Sequence, residues 1–412
     1  MFAAMAHAND VVVTGSGVCC NLGDDLTAIL AQLRSGVPSA TFEKWGPAVE
    51  NHARCQIIGV YKGDVSDAAL GVPKSEGRFM GRGSRLALRA ARNAIAESEI
   101  DPRALAVVVG SGTGDVDTIL EIDDKLEKSH QTTKVSPTVV PRVMASTISA
   151  NLANVLRTTG PSFSATAACA GGAYNVLLAA QLIQSGHAKA ALAGGAEIAD
   201  IAFFSGFDSM RAYNGTDNET PDRASRPYAA DRAGFVFAEG AGIVILEKRS
   251  DAEARGAKIL GTICGFGISS DGEGNMVAPT SEGALVAMKQ ALEKANVAPD
   301  QIDYVNTHGT STPLGDIGEV KAIQRCFGRR VAYSSTKAYT GHTVSAAGTI
   351  EAIFTLAMLR DGWIAPARHA DPVDPEIADY PPVLVPTAAK LRYALSNSFG
   401  FGGTNVTLVL ST

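Results

Sequence analysis

The 412-residue sequence has few cysteines and no long uninterrupted apolar run. No segment reaches the roughly 18 consecutive apolar residues that predict a transmembrane helix. The first ten residues lack the basic and then apolar order of an export signal. The six cysteines have no metal-ligand spacing and are too sparse for a disulfide scaffold. We therefore expect a cytoplasmic protein, with neither export nor a membrane span.

Basic residues are also in deficit. The chain has 36 Lys and Arg against 42 Asp and Glu, a formal net charge of −6. This balance, with the basic residues scattered, argues against nonspecific nucleic-acid binding. Low-complexity segments are absent, and the 46% hydrophobic content predicts a globular chain large enough for two domains or two fused halves.

Nucleotide-binding motifs are missing despite several glycine-rich segments. Gly-x-Gly begins at Gly15, Gly110, Gly265 and Gly400. The third glycine of a dinucleotide fingerprint would fall at Cys20, Asp115, Ser270 and Asn405, and no Gly-Lys-Ser/Thr phosphate loop occurs. We predict that these glycines form tight turns or allow close backbone approach around a site.

An internal repeat predicts the architecture. Residues 91–114 have the order of helix, Asp-Pro turn, strand and glycine-rich loop, and residues 287–311 repeat it. Further apolar strands are predicted at residues 11–13, 190–193, 234–246, 259–263 and 406–410. Such strands between amphipathic helices indicate an α/β fold with sheets buried on both faces. We predict two pseudo-duplicated halves, residues 1–252 and 253–412, divided within the charged helical stretch 248–258.

Three side chains are candidates for chemistry. Cys169 follows an uncharged stretch and precedes the apolar run 173–183, so we predict that it lies at a helix N-terminus, where the dipole favours a thiolate. The alternative is a buried structural cysteine. His308 and His342 each lie in a loop of Gly, Ser and Thr, although a lone loop histidine is usually a surface or hydrogen-bonded residue. A zinc site is disfavoured because no fourth ligand stands at a usual spacing.

The segments around these residues resemble one enzyme family. Residues 306–316, 335–342 and 397–405, together with Cys169, are similar in sequence and order to the beta-ketoacyl-acyl-carrier-protein synthases, the decarboxylating condensing enzymes of the thiolase superfamily. The resemblance covers about residues 11–410. Segments 213–214, 224–228 and 276–279 are closer to type I synthases than to type II. The resemblance implies a thiolase fold, in which the two halves give an αβαβα layered architecture.

The resemblance also implies the roles of site residues. Cys169 would take an acyl group from an acyl carrier protein as a thioester, and malonyl-carrier protein would then lose carbon dioxide. His308 and His342 would hold the resulting enolate as neutral N–H donors. Lys337, together with Glu351, would organise the charge around both histidines.

Other positions are implied to support the site. The backbone N–H groups of Cys169 and Phe401 would form the oxyanion hole, with Phe401 and Phe399 at the gate to the acyl pocket. Asp316 and Glu319 would brace the His308 loop, and Thr113 would lie at the floor of the acyl pocket. The resemblance implies no cofactor, since substrates arrive on the phosphopantetheine arm of the carrier protein.

An acidic carrier protein needs a basic docking surface. The densest basic run consists of Lys74, Arg78, Arg82 and Arg85, and a second run consists of Lys125, Lys128 and Lys134. Either run is alternatively an ordinary solvated face. The family is homodimeric, which implies a homodimer here and leaves a heterodimer open. No nucleic-acid or membrane partner is expected.

Several departures from the family pattern leave the pathway open. They are Ala167, Ala229, Ala233, Tyr339 and Ser345. Fatty-acid elongation is the main hypothesis, and a ketosynthase of a specialised polyketide or aryl-polyene-like pathway is the alternative. A thiolase is disfavoured because no cysteine follows Cys326, and a type III synthase because it would carry Asn at position 342. A non-catalytic chain-length factor would lack the nucleophile.

Overall fold

The computed structural model describes residues 10–38, 42–272, 276–277 and 280–412. Residues 278–279 of the type I segment and the first nine residues lie outside this range. The strands are β1 Val11–Cys19, β2 Glu43–Lys44, β3 Ile57–Ile58, β4 Ala106–Gly110, β5 Ser162–Phe163, β6 Ala190–Glu197, β7 Gly240–Lys248, β8 Gly261–Ser270, β9 Ile302–Asn306, β10 Ala332–Ser334, β11 Trp363–Ile364, β12 Thr387–Ala388, β13 Tyr393–Gly400 and β14 Thr404–Ser411.

The helices alternate with these strands. They are α1 Leu26–Ser35, α2 Gly46–Glu50, α3 Lys74–Gly77, α4 Arg82–Ser98, α5 Val116–Ser129, α6 Val139–Val143, α7 Thr147–Leu156, α8 Gly171–Gln184, α9 Ile201–Ser209, α10 Arg249–Ala254, α11 Ser281–Ala295, α12 Pro313–Phe327, α13 Lys337–Thr340 and α14 Ala347–Asp361. No described helix is both long enough and apolar enough to cross a membrane.

One mixed sheet of ten strands contains both halves of the chain. Its order is β10-β9-β13-β14-β8-β1-β7-β6-β4-β5. Within each half, the five strands follow the same order, with the third strand at the outer edge and the first strand innermost. The two innermost strands join the halves, because β1 and β8 pair antiparallel over three residues. This repeated order confirms the predicted duplication.

The helices form three layers around the two half-sheets. Helices α8 and α14 pack against each other and contact strands of both halves, which places them in the centre. Helix α14 is buried on every side, as a central helix requires. Helices α4 and α7 cover the outer face of the first half, and α11 and α12 cover that of the second. The result is the predicted αβαβα arrangement of a thiolase fold.

Two of the glycine pairs have a packing role. Gly15 and Gly17 lie inside β1, and Gly265 and Gly267 lie inside β8. A Cβ atom at Gly17 would lie 2.0 Å from a backbone oxygen of α4, and one at Gly267 would lie 1.9 Å from a backbone oxygen of α11. A turn at these positions was the wrong prediction, because the strands continue through them. The close backbone approach is present, and it is between strand and helix.

A second correction concerns the strand predicted over residues 234–246. The strand begins only at Gly240, because the preceding residues leave the sheet. Phe237 forms an isolated bridge with His342, so this segment contacts a loop of the other half. The charged stretch after β7 forms α10, between the last strand of the first half and the first strand of the second. The exact division at residue 252 stays a prediction.

Candidate active site

Cys169 lies in a short 3-10 turn, Ala168–Ala170, directly before α8. The preceding residue, Ala168, has a φ of 43°, in the left-handed region that residues other than glycine rarely adopt. The Cys169 side chain is 7% exposed and contacts the apolar cluster that includes Val344 and Phe237. The local turn therefore holds the sulfur at the start of a central helix.

The protonation of Cys169 differs from the sequence prediction. The pKa of its thiol is raised to about 12, mainly by burial and to a smaller extent by the negative charge of Glu197. The Lys337 charge and the backbone N–H groups of Phe401 and Cys169 act in the opposite direction. A thiolate in the resting protein was thus the wrong prediction, because loss of solvation outweighs the helix terminus.

The two histidines meet beside this turn. His308 follows β9 and His342 follows α13, and their rings lie 5.3 Å apart at 86°. Burial lowers the pKa of both well below the usual value, and the nearby Lys337 charge lowers each of them further. Neither buried Nδ1 atom has a hydrogen-bond partner among the described residues. Both imidazoles are therefore neutral and each carries one N–H donor.

Lys337 is the central charge of the site. It is 1% exposed and forms an ion pair with Glu351, which is 2% exposed. Burial raises the pKa of Glu351 to about 7, against the lowering effect of Lys337. Because Lys337 also shifts the pKa values of Cys169 and both histidines, it lies among all three groups. Its burial distinguishes it from an ordinary surface lysine.

Two buried carboxylates fix the loop that carries His308. Glu319 accepts hydrogen bonds from the backbone N–H groups of His308 and Gly309, each at 2.9 Å. Asp316 accepts one from the backbone N–H of Ser311 at 3.1 Å. Burial raises the pKa of Asp316 to about 7. Both side chains begin on α12, so the helix holds the loop that precedes it.

A cavity of about 410 Å³ joins these groups. Cys169, His308 and His342 all line it. Four phenylalanines also line it, Phe207, Phe235, Phe399 and Phe401. Phe399 lies 5.8 Å from the His308 ring, and Phe401 lies 5.7 Å from Phe207, between ring centroids. A buried cysteine, two neutral imidazoles and apolar walls therefore share one space. Among the described residues, no group of His, Cys, Asp and Glu is arranged to hold a metal ion.

Comparison with known proteins identifies the family. The model described as "Beta-ketoacyl synthase, N-terminal domain" matches residues 8–252, and that of the C-terminal domain matches residues 260–371. The chain belongs to the beta-ketoacyl synthase family. It is 39% identical to the 3-oxoacyl-[acyl-carrier-protein] synthase 1 of Haemophilus influenzae over 97% of this chain and 98% of that protein. The synthase 1 of Escherichia coli K12 is 38% identical with the same coverage.

Solved structures agree with this assignment. A beta-ketoacyl synthase from Burkholderia phymatum superposes with a TM-score of 0.90 at 32% identity, covering 98% of this chain and 99% of that one. The ketosynthase ApeO in complex with its chain length factor ApeC, from Xenorhabdus doucetiae, gives a TM-score of 0.82 at 26% identity, covering 98% of each chain. The family assignment thus rests on both sequence and fold.

The resemblance implies that Thr113 lies at the floor of the acyl pocket, but Thr113 does not line this cavity. Its side-chain hydroxyl donates a hydrogen bond to Glu197 at 2.9 Å. Glu197, at the end of β6, is 1% exposed and contacts several groups near Cys169. No sequence pattern marks Glu197, because one glutamate at the end of an apolar strand has no local signature.

The predicted basic docking run does not form one free surface. Arg82 binds Glu239, with Nε at 2.9 Å from the carboxylate, and Arg85 binds Asp67 at 2.6 Å. These two arginines begin α4 and are held against the protein. Lys74 and Arg78 remain exposed. Arg82 and Arg85 are thus paired with carboxylates of the chain itself, and their part in a docking surface stays a prediction.

The sequence also missed the rim of the cavity. Met210, Arg211 and Leu314 line the cavity and are exposed to solvent. Met210 and Arg211 follow α9, and Leu314 lies in the first turn of α12. Their arrangement combines exposed apolar groups with one cation at the mouth. No local motif could have indicated it, since these residues come from distant parts of the chain.

Proposed function

We propose that this chain is a 3-oxoacyl-[acyl-carrier-protein] synthase that elongates an acyl chain by decarboxylative condensation with malonyl-carrier protein. The observation that carries the proposal is one cavity lined by Cys169, His308 and His342, with both imidazoles neutral. The relatives of highest identity named above carry the same activity in their names. We propose no cofactor beyond the phosphopantetheine arm that delivers the substrate.

In the first step, the Cys169 sulfur attacks the thioester carbonyl of the acyl-carrier protein. The bond from that carbonyl to the phosphopantetheine sulfur breaks, and the released thiol takes the proton that Cys169 gives up. The backbone N–H groups of Cys169 and Phe401 both approach the nucleophilic sulfur. They are therefore placed to stabilise the oxyanion that forms on the carbonyl next to it. The nearby Lys337 charge favours loss of the thiol proton.

In the second step, malonyl-carrier protein loses carbon dioxide. The electron pair of the broken bond forms an enolate, whose thioester oxygen gains negative charge. Neutral N–H donors from His308 and His342 stabilise this oxygen, and they need no proton transfer to do so. The enolate carbon then attacks the acyl-Cys169 carbonyl, and the Cys169 sulfur leaves as a thiolate, which takes a proton from solvent to regenerate the thiol.

The carrier protein approaches the exposed rim of the cavity, which is formed by Met210, Arg211 and Leu314. We propose that Arg211 lies under the docked carrier, with Lys74 and Arg78 as further contacts. All three are exposed. An acidic partner is attracted to exposed cations, whereas cations already paired internally contribute little.

We propose that two copies associate through α5 and α6. Helix α5 has Thr118 as its one buried side chain, while Ile119 and Leu120 are 49% and 40% exposed. Val140 on α6 is 67% exposed. An exposed apolar face of this kind is typical of a subunit interface. A heterodimer is the alternative, since ApeO is described in complex with a chain length factor.

The second candidate function is a ketosynthase of a specialised pathway that needs such a partner subunit. Its support is the fold similarity to ApeO and to the ishigamide ketosynthase/chain length factor, at 28% identity. We favour elongation because the relatives named synthase 1 are more similar, at 38% to 39% identity. We propose a cytoplasmic location, which suits six cysteines that are all unpaired.

The proposal is tested by incubating the enzyme with acyl-carrier protein alone and measuring the intact mass of the enzyme. We expect a gain equal to the acyl group, mapped by peptide digestion to the segment containing Cys169. Acylation of the Cys169→Ala variant to the same extent would contradict the proposal. A panel of chain lengths reports which primers the site accepts.

A further inference from the structure

The Glu197 carboxylate is buried and accepts hydrogen bonds from two separate segments. Oε1 accepts from the hydroxyls of Ser111 at 2.7 Å and Thr113 at 2.9 Å. Oε2 accepts from the backbone N–H of Gly112 at 2.9 Å and of Ser345 at 3.3 Å. The first three donors lie in the loop after β4, in the first half. The fourth lies in the second half, three residues after His342.

The Ser111 hydroxyl determines how this network is polarised. Its oxygen already accepts from the backbone N–H groups of Thr113 at 3.2 Å and Gly114 at 3.1 Å. Both lone pairs are therefore used, so the hydroxyl proton points to Oε1 of Glu197. Because Oε2 faces two backbone N–H groups, both carboxylate oxygens act as acceptors. An amide in the same place has one acceptor oxygen and cannot satisfy both sides.

The segment that Glu197 holds in the second half is strained. Val344 has a φ of 43°, and for a β-branched residue this value persists only when the surroundings enforce it. Val344 also packs in the same apolar cluster as Cys169. The bond from the Ser345 N–H to Glu197 is one constraint that keeps this turn in place.

The same turn rests on the start of α8. A Cβ atom at Gly171 would lie 2.6 Å from the Ser345 hydroxyl oxygen. Cβ atoms at Gly172 and Gly195 would lie 2.5 and 2.4 Å from the Ser345 carbonyl oxygen. Ser345 therefore fits a cradle of three glycines, two of which lie two and three residues after Cys169. A shift of this turn moves His342 on one side and the nucleophile on the other.

We propose that Glu197 is a positioning residue of the condensation, which ties the 111–113 loop to the turn after His342 and so fixes His342 relative to Cys169. This inference rests on the proposed function. Glu197 does not touch the reacting atoms, and it acts through the two backbone segments that it holds.

The charge of Glu197 has a second and separable effect. It raises the pKa of the Cys169 thiol, so its removal makes the thiol easier to ionise. Loss of the network, in contrast, disturbs the geometry that condensation needs. The two effects have opposite signs: alkylation of Cys169 becomes faster while condensation becomes slower. A simple loss of folded protein would slow both reactions.

The test compares two variants by two readouts. Glu197→Gln removes the charge and one acceptor. We expect its kcat for condensation to fall by about 100-fold, the scale of an ångström-sized misplacement, with the KM for malonyl-carrier protein unchanged. We expect its rate of alkylation by iodoacetamide at fixed pH to rise several-fold. The reason is that lowering the pKa of the Cys169 thiol by a fraction of a unit increases the thiolate fraction by about that factor. Glu197→Asp keeps the charge but is too short to reach both segments, so it should lose condensation without faster alkylation.

Glu247→Gln serves as the control. Glu247 is a buried carboxylate on β7 that pairs with Arg255, away from the cavity. We expect this variant to lower the melting temperature and to leave both readouts unchanged per folded molecule.

Unchanged condensation in both Glu197 variants would overturn the inference, and so would a parallel loss of alkylation and condensation. If the unsubstituted enzyme does not condense, the proposed function fails, while the alkylation comparison still tells whether the Glu197 charge acts on Cys169.

Discussion

The ammonium group of Lys337 contacts the carboxylate of Glu351 inside the protein, with side-chain exposures of 1% and 2%. This pair places one cation among Cys169, His308 and His342. Its charge lowers the pKa of the thiol and of both imidazoles. One buried lysine thus favours ionised sulfur and neutral histidines together, which are the states that the proposed reaction uses.

Replacing Lys337 by Met should cost both stability and activity. Removal of one partner leaves a buried carboxylate, and such losses are about 3–5 kcal/mol. The double variant Lys337→Met with Glu351→Leu removes both charges and should recover most of the stability, as measured by urea unfolding. Condensation should stay low in the double variant. Recovery of activity together with stability would mean that the pair is only structural.

Replacing His308 or His342 by Ala should slow decarboxylation. The loss of one donor to a developing oxyanion reduces the rate by about 10²–10³-fold. Acyl transfer to Cys169 should stay within a few-fold of the original rate. The measurement is carbon dioxide release from malonyl-carrier protein beside the intact mass of the acyl-enzyme. Equal losses in both partial reactions would contradict the separate roles.

The histidines also predict the effect of pH. Because their pKa values lie well below the usual value, both imidazoles stay neutral as the pH falls through about 6.5, where an ordinary histidine gains a proton. Decarboxylation at saturating substrate should not show a histidine titration there. Unfolding should become easier below about pH 6.5, because the unfolded chain binds protons that the folded chain excludes. A rate that titrates near pH 6.5 would contradict neutral, buried donors.

The carrier-protein surface is tested by charge reversal. Arg211→Glu and Arg78→Glu should raise the KM for carrier-bound substrates severalfold, most strongly at low salt, because exposed charges are screened. Alkylation of Cys169 by a small reagent should not change. Arg103→Glu, at another exposed arginine on the connector before β4, is the matched control. Equal effects of all three would indicate a response to net charge alone.

The assembly is tested by placing a charge on α5. Leu120→Asp should produce a monomer in size-exclusion chromatography with light scattering, because an ionised carboxylate is costly in an apolar interface. Val385→Asp, at another exposed apolar residue, should leave the dimer intact. A purified chain that is monomeric without any substitution, and active only with a partner subunit, would favour the second candidate function.

The sequence predicted the repeat and marked the three side chains that meet in the cavity, because each has a local signature. The Pro102 and Pro299 turns mark the two copies, and His308 lies where the repeat places Ser111. What could not be predicted from the sequence depends on how distant parts of the chain pack together. The predicted Cys169 thiolate neglected burial, and the local basic run gave no sign that Arg82 pairs with the buried carboxylate of Glu239, directly before β7. Glu197 was missed because its donors come from both halves of the chain.

The central claim is that Cys169 carries the acyl group during a decarboxylative condensation. The most direct measurement is intact-mass analysis of carrier protein after the enzyme meets malonyl-carrier protein and an acyl-carrier protein together. We expect 3-oxoacyl-carrier protein with the unsubstituted enzyme and none with Cys169→Ala. Product formed equally well by Cys169→Ala, or no product from any primer with the unsubstituted enzyme, would contradict it.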